Sequence, residues 1–179
     1  MGYDVVIVGA GPAGAVLAYL LAKAGAEILL VDKKCFPRYK ACGGGLTKRA
    51  LDSLPFEISE VIEERVHTVR AFIQNECVFE ICVQEPALSM VMRDRFDHFL
   101  VKKSIEAGAH FQEGAVFRHV EGAPDMLRVE TSVGPVKSRF LVGADGVHSR
   151  VAKALGLPRP NNVMNAIEAE VYFREPARL

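Results

Sequence analysis

Residues 3–14, Tyr-Asp-Val-Val-Ile-Val-Gly-Ala-Gly-Pro-Ala-Gly, restrict the fold of this chain more than any other segment. Tyr3 to Val8 is β-branched and mostly apolar, the pattern of a short strand buried on both faces. Pro12 suits the first position of a helix, where a missing N–H costs nothing. Val16, Leu17, Leu20, Leu21 and Ala24 then supply an apolar stripe, and Gly25 ends the helix. A second buried strand, Glu27 to Val31, closes at Asp32. The result is a strand–helix–strand unit of about 30 residues, the size of half a nucleotide-binding fold. Its turn has the spacing Gly-x-Gly-x-x-Gly. Gly9 permits the tight exit from the strand, Gly11 leaves space for a pyrophosphate, and Gly14 lets the helix lie close to the strand. Helix N-termini attract phosphate through free N–H groups and the helix dipole. Gly9, Gly11, Pro12, Ala13 and Gly14 are therefore candidate phosphate contacts. Asp32, with Lys33 beside it, is the candidate ribose contact. A carboxylate there repels a 2′-phosphate, which disfavours NADP and leaves FAD and NAD. The competing reading is a glycine-rich turn in an ordinary βαβ unit.

Val5 to Ala22 is uncharged over 18 residues, long enough for a membrane span or a signal sequence. Gly9, Gly11, Pro12 and Gly14 interrupt it, the only preceding charge is the acidic Asp4, and another strand pattern follows at once. Strand, turn and helix explain the run better. Lys plus Arg equal Asp plus Glu at 22 each, so nothing points to nucleic-acid binding, which needs a cationic surplus. The four cysteines, Cys35, Cys42, Cys77 and Cys82, form no Cys-x-x-Cys pair, and the five histidines form no metal spacing. Reduced thiols, a cytoplasmic location and no metal are the expectation.

Beyond Asp32 the pattern predicts a loop over 33–46, a short helix from Thr47 to Leu54, and β-rich segments at 67–74, 77–83 and 88–92. A helix from Asp94 to Ala107 follows, with Asp94 as N-cap and Asp97 three residues on. Strands are expected over 109–120, 127–133 and 136–142, a helix over 147–155, and another strand from Val163 to Phe173. The fold class is α/β, a three-layer Rossmann-like domain with an inserted antiparallel segment. The expected division is 1–65 for the βαβ unit and glycine-rich loop, 66–92 for inserted strands, 93–160 for the rest of the nucleotide-binding domain, and 161–179 for the start of a substrate domain.

A second glycine–acid motif follows the strand Phe140-Leu141-Val142, namely Gly143-Ala144-Asp145-Gly146. Open α/β sheets bind ligands at the carboxyl ends of their strands, although Asp-Gly is also a common turn pair. Together the two motifs resemble the glutathione-reductase-like FAD enzymes of the aromatic-hydroxylase branch. Pro37-Arg38-Tyr39-Lys40-Ala41-Cys42-Gly43-Gly44-Gly45-Leu46 narrows the likeness to the geranylgeranyl reductase family, as does Arg93-Asp94-Arg95-Phe96-Asp97 at the start of a helix. That resemblance implies FAD as cofactor. Gly9, Gly11, Gly14 and Asp32 would hold its ADP half; Arg38, Cys42, Gly43 and Gly45 would lie along it toward the flavin ring. Arg93 would contact the flavin nucleotide, Val116 the adenine through its backbone, and Asp145 and Gly146 would form the second contact motif.

The family implies reduction of isolated double bonds in a prenylated lipid or other isoprenoid by hydride transfer. The electron donor would be NAD(P)H or a ferredoxin-like protein, with peripheral contact to the cytoplasmic face of a membrane. Cys42 is a candidate proton donor, weighed against a packing role at the flavin edge. The chain departs from the family in two ways: Gly-Asp never occurs in that order, and there is no Trp for the family's Tyr-x-Trp-x-Phe-Pro signature. Members are about twice this length, so an N-terminal part of a longer protein is expected. A flavin monooxygenase of the aromatic-hydroxylase type and a non-enzymatic NAD-binding module are the rival readings.

Overall fold

The computed structural model describes residues 2–74, 76–123, 125–158, 164 and 166–169. Strand β1 (Gly2–Val8), helix α1 (Pro12–Lys23) and strand β2 (Ile28–Val31) form the opening βαβ unit. β1 lies in the middle of a six-stranded sheet. It pairs in parallel with β2, Val5 opposite Ile28 and Val8 opposite Val31. On its other side it pairs in parallel with the later strand at Gly134–Gly143, Val5 opposite Phe140 and Val8 opposite Gly143. This register carries both glycine motifs out of the sheet at the same end and side by side.

The chain between these strands builds the surroundings. A three-stranded antiparallel sheet joins β3 (Gly45–Thr47), β4 (Glu64–Val66) and a later strand at Leu88–Met90. A short helix α2 (Lys48–Asp52) and a 3₁₀ turn at Ser59–Val61 lie between β3 and β4. β5 (Thr68–Ile73) and β6 (Glu76–Cys82) make a separate antiparallel hairpin, and β7 is the strand Leu88–Met90. Helix α3 (Arg93–Glu106) leads to β8 (His110–Gln112), which adds to β2 in parallel. β9 (Phe117–Ala123), β10 (Met126–Thr131) and β11 (Gly134–Gly143) continue the sheet as an antiparallel meander, and helix α4 (Arg150–Ala154) follows.

The alternation of β1 and β2 divides the core. Ile7, Ile28 and Leu30 face helices α1 and α3, where they meet Ala15, Ala18, Phe99 and Leu100. Val6, Val8, Leu29 and Val31 face the other way, against Phe117, Val129 and Val151 from β9, β10 and α4. Both faces of the parallel strands are covered, as their unbroken apolar sequences require.

Several expectations are corrected. The 33–46 loop ends in a strand, because Gly45–Thr47 pairs with Leu88–Met90; three residues carry too little periodicity to show it. Thr47 ends that strand and caps α2, its hydroxyl accepting the Ala50 N–H at 3.3 Å, so the helix begins one residue later. Asp94 is not the cap of α3. The helix starts at Arg93, with Met92 at the cap and no side-chain cap bond. Asp94 falls in the first turn, where its charge still suits the dipole. The single strand expected over 109–120 is two, split at Gly114 with φ +69°; Ala115 N–H then donates to the Asp32 carbonyl at 2.9 Å, carrying the chain across the end of β2. The helix expected over 147–155 begins only at Arg150, capped by Ser149. The strand expected over Val163–Phe173 falls largely outside the described residues.

Leu100 is fully buried between α3 and the sheet. Leu100→Ala should lower unfolding free energy by about 3 kcal/mol in a urea titration, the usual cost of a core cavity. A loss below about 1 kcal/mol would contradict this packing.

Candidate cofactor site

The two motif loops touch. A Cβ added at Gly9, whose φ is +105°, would lie 2.4 Å from the Ala144 carbonyl oxygen. One at Gly14 would lie 1.8 Å from the Gly9 carbonyl oxygen. These two glycines are required by backbone packing alone. Gly11 is different. Its backbone is extended, φ −71° and ψ −178°, which any residue adopts. A Cβ there would meet only Arg38 Nη2, at 3.7 Å. Packing within the protein does not demand this glycine, whereas a ligand lying close over the backbone would.

Gly11 opens onto a cleft of about 480 Å³. Pro12 and Ala13 line it from the start of α1, whose first-turn N–H groups lack intrahelical partners and have no side-chain cap. Asp32 and Lys33 line it from the end of β2. Asp32 is 8% exposed, its Oδ2 accepting the Ala10 N–H at 2.8 Å and its Oδ1 the Lys34 N–H at 2.9 Å. Those bonds occupy two of roughly four acceptor positions on a carboxylate, so Asp32 is held in place and can still accept from a ribose.

The loop after β2 is pinned at several points. Phe36 N–H donates to Glu113 at 2.9 Å, and Arg38 stacks over the Phe36 ring at 5.0 Å. Arg38 Nη2 lies 3.0 Å from Asp97 Oδ2. Arg93 grips the same carboxylate with two bonds, Nε to Oδ1 at 2.8 Å and Nη2 to Oδ2 at 2.9 Å. Farther along the loop, Cys42 N–H donates to Glu168 at 2.7 Å, and Tyr39 donates to the same oxygen at 3.1 Å. Gly44, with φ +71°, seats its carbonyl on the Val91 N–H at 3.0 Å; a Cβ there would lie 2.1 Å from the Val91 carbonyl. Gly44 is thus the glycine of the triplet that packing requires, while the sequence reading singled out Gly43 and Gly45. Gly43 has open space around it and Gly45 touches only side chains.

The Cys42 thiol is shifted below the usual thiol range, first by the backbone N–H of Gly44 and then by the Arg93 guanidinium. Both favour the thiolate. Cys42 and Arg93 also line a second, apolar cavity of about 470 Å³ with Val16, Leu17, Leu46 and Phe96. Pro12, Ala13 and Arg93 border both cavities.

Two expected contacts change character. Val116 lines the cleft, but its N–H donates to Ser132 Oγ at 2.9 Å and its carbonyl accepts the Ser132 N–H at 2.9 Å. Its backbone N–H is therefore unavailable to an adenine, which leaves the carbonyl's second lone pair and the side chain. Asp145 lines the cleft with Gly146, yet its oxygens accept from Ser149 at 2.5 Å and from the Arg150 N–H at 2.6 Å. These bonds hold the loop to the start of α4 while Asp145 and Gly146 stay on the cleft wall. Asp97 was read as a helix-start acid and as the end of the Arg-x-x-Phe-Asp segment, but not as the partner of two arginines. Its spacing of four from Arg93, the separation of an ion pair on one helix face, was the available signal.

The family model described as FAD binding domain matches residues 2–178. The chain belongs to that family. FAD is its cofactor, and the open cradle at Gly11 fits a dinucleotide. The chain is 31% identical over 185 residues to digeranylgeranylglycerophospholipid reductase 1 of Methanopyrus kandleri, covering 96% of this chain and 48% of that protein. Its fold matches a geranylgeranyl bacteriochlorophyll reductase-like protein of Thermoplasma acidophilum with TM-score 0.77 at 24% identity, covering 87% of this chain and 42% of that one. It also matches a halogenase solved with phloroglucinol and FAD, TM-score 0.70 at 22% identity, over 86% of this chain and 36% of that one. The chain spans less than half the length of each.

The glycines should separate by function. Gly14→Ala is expected to prevent stable folding, seen as loss of a cooperative thermal transition. Gly11→Ala should leave apo-protein stability within about 1 kcal/mol of wild type and weaken FAD binding in a fluorescence-quenching titration. Undiminished FAD affinity in Gly11→Ala would refute the cradle. Because a lowered pKa raises the thiolate fraction at a given pH, Cys42 should react with iodoacetamide at pH 7 faster than Cys77, and Arg93→Met should slow it. Equal rates for Cys42 with and without Arg93 would contradict the contact.

Proposed function

We propose that this chain is the FAD-holding part of a flavin-dependent reductase that saturates isoprenoid carbon–carbon double bonds on a prenyl-lipid substrate. The observation carrying this reading is the apolar cavity that shares Pro12, Ala13 and Arg93 with the cofactor cleft and has Cys42 on its wall. The Cys42-to-Leu46 loop and the relation to the Methanopyrus kandleri reductase support it.

In this reading Gly11, the first turn of α1 and Arg38 hold the pyrophosphate, and Asp32 accepts from the adenosine ribose. Reduced FAD supplies the hydride. The residues around it have three tasks. Val16, Leu17, Leu46 and Phe96 offer an isoprenoid chain a surface without competing hydrogen bonds and exclude water. Arg93, fixed by two bonds to Asp97, holds its charge at the boundary between cleft and cavity. Cys42 is the candidate proton donor for the second alkene carbon, since Gly44 N–H and Arg93 stabilise the thiolate that donation leaves behind. The electron donor is NAD(P)H or a ferredoxin-like protein. A lipid substrate calls for peripheral contact with a membrane face, which for a cytoplasmic protein is the cytoplasmic one. Among the described residues no helix is long and apolar enough to cross a membrane.

The test is an anaerobic incubation of the dithionite-reduced protein with a geranylgeranylated glycerophospholipid, followed by mass spectrometry. A gain of two hydrogens per double bond is expected, with Cys42→Ala slowing it while FAD stays bound. No mass change, with oxygen consumption on an aromatic substrate, would replace this reading by the monooxygenase.

A further inference from the structure

Asp97 is buried completely on helix α3, with its side chain 0% exposed, yet it carries a charge. A buried carboxylate needs compensation, and losing its partner is strongly destabilising. The two-bond fork from Arg93 supplies that compensation within one helix turn, at a spacing of four residues. Arg38 is therefore not needed to satisfy Asp97. It approaches from the loop after β2, a different element, and places Nη2 on Oδ2 at 3.0 Å. The same Nη2 is the protein atom nearest to the missing Cβ of Gly11. Arg93 lines the apolar cavity together with Cys42, whose thiol its charge favours in the ionised form. One carboxylate thus connects the phosphate cradle to the wall of the apolar cavity, through guanidiniums only 13% and 17% exposed. The trio retains one net positive charge.

We propose that Asp97 is a positioning residue of the FAD site. It sets Arg38 and Arg93 side by side, so that their remaining donors are aimed at the cofactor before it arrives. This rests on FAD occupying the cleft. Preorganised donors bind more tightly because their ordering cost is met during folding. The proposal opposes a simple charge argument in sign. If Asp97 only offset charge, removing it would leave two uncompensated guanidiniums and tighten the grip on an anionic cofactor. If it positions them, removing it weakens binding despite the added charge.

Asp97→Asn decides between these. The amide is near the size of the carboxylate and keeps one acceptor oxygen, but its NH₂ opposes a guanidinium and cannot complete the fork. FAD affinity of the folded protein, measured by flavin fluorescence quenching, should fall by about tenfold. The midpoint potential of bound flavin should move positive, because a nearby negative charge is gone. Unchanged or tighter FAD binding with an unmoved potential, even with a lower Tm, would overturn the proposal and leave Asp97 a stability residue. Should Asp97→Asn not fold, Arg38→Lys reads the same linkage from its other end. It keeps the charge and loses the planar fork. Because Arg38 also faces the cleft itself, that variant is read only against Asp97→Glu, which keeps the negative charge but moves the carboxylate by one methylene: weaker FAD binding in Asp97→Glu supports positioning, and unchanged binding there refutes it. Wild-type protein that fails to bind FAD would reject the cofactor reading itself, and this inference with it.

Discussion

The end of β1, the start of α1 and the turn after β11 occupy nearly the same space. Gly9, Gly14 and Ala144 meet at backbone distance, and this closeness is possible only without side chains at the two glycines. It follows from the register of the sheet, in which Val8 lies opposite Val31 on one side and Gly143 on the other. The Ala144 N–H donates to the Val8 carbonyl at 2.7 Å, and the Gly9 N–H to the Val31 carbonyl at 2.8 Å, extending both pairings past the strand ends. The two motif walls of the cleft are placed by that junction. It aims the helix N-terminus and brings the Asp145 loop beside the glycine turn.

The electrostatics of the site are built in two ways. Around the glycine turn and the end of β11, acids are held by nearby donors: Asp32 by the Ala10 and Lys34 N–H groups, Asp145 by the Arg150 N–H and the Ser149 hydroxyl. These carboxylates fix loops through N–H and hydroxyl donors, and neither has a cationic partner among the described residues. Where the cleft meets the apolar cavity, arginines are held by one acid. The Arg38–Asp97–Arg93 arrangement keeps two planar donors rigid at low exposure, and Arg93 passes its field on to the Cys42 thiol. The acids are positioned mostly by main-chain donors, the arginines by a side-chain carboxylate.

Sequence revealed what is local. The βαβ unit, the role of Gly9 and Gly14, and the α/β class follow from unbroken apolar strands, a stripe of period 3.6 and glycine spacing. The FAD cofactor was legible from the two motifs and the Cys42–Leu46 loop together. What stayed hidden depends on distant partners. β3 is three residues long and exists only because Leu88–Met90 lies beside it. Val116 reads as a free backbone contact until Ser132 is seen to cover it. Gly44 is distinguished from Gly43 and Gly45 by its positive φ and by the Val91 carbonyl. Asp97's pairing with Arg93 was available from their spacing but was not read, and its link to Arg38, 59 residues away in sequence, was hidden altogether.

The central claim is that a preformed dinucleotide cleft in this chain takes FAD. A calorimetric titration of the protein with FAD, set against one with NAD, tests it most directly. Saturable one-to-one binding of FAD, tighter than any binding of NAD, is the predicted result. Preferential binding of NAD, or a folded protein that binds no FAD, would contradict the account.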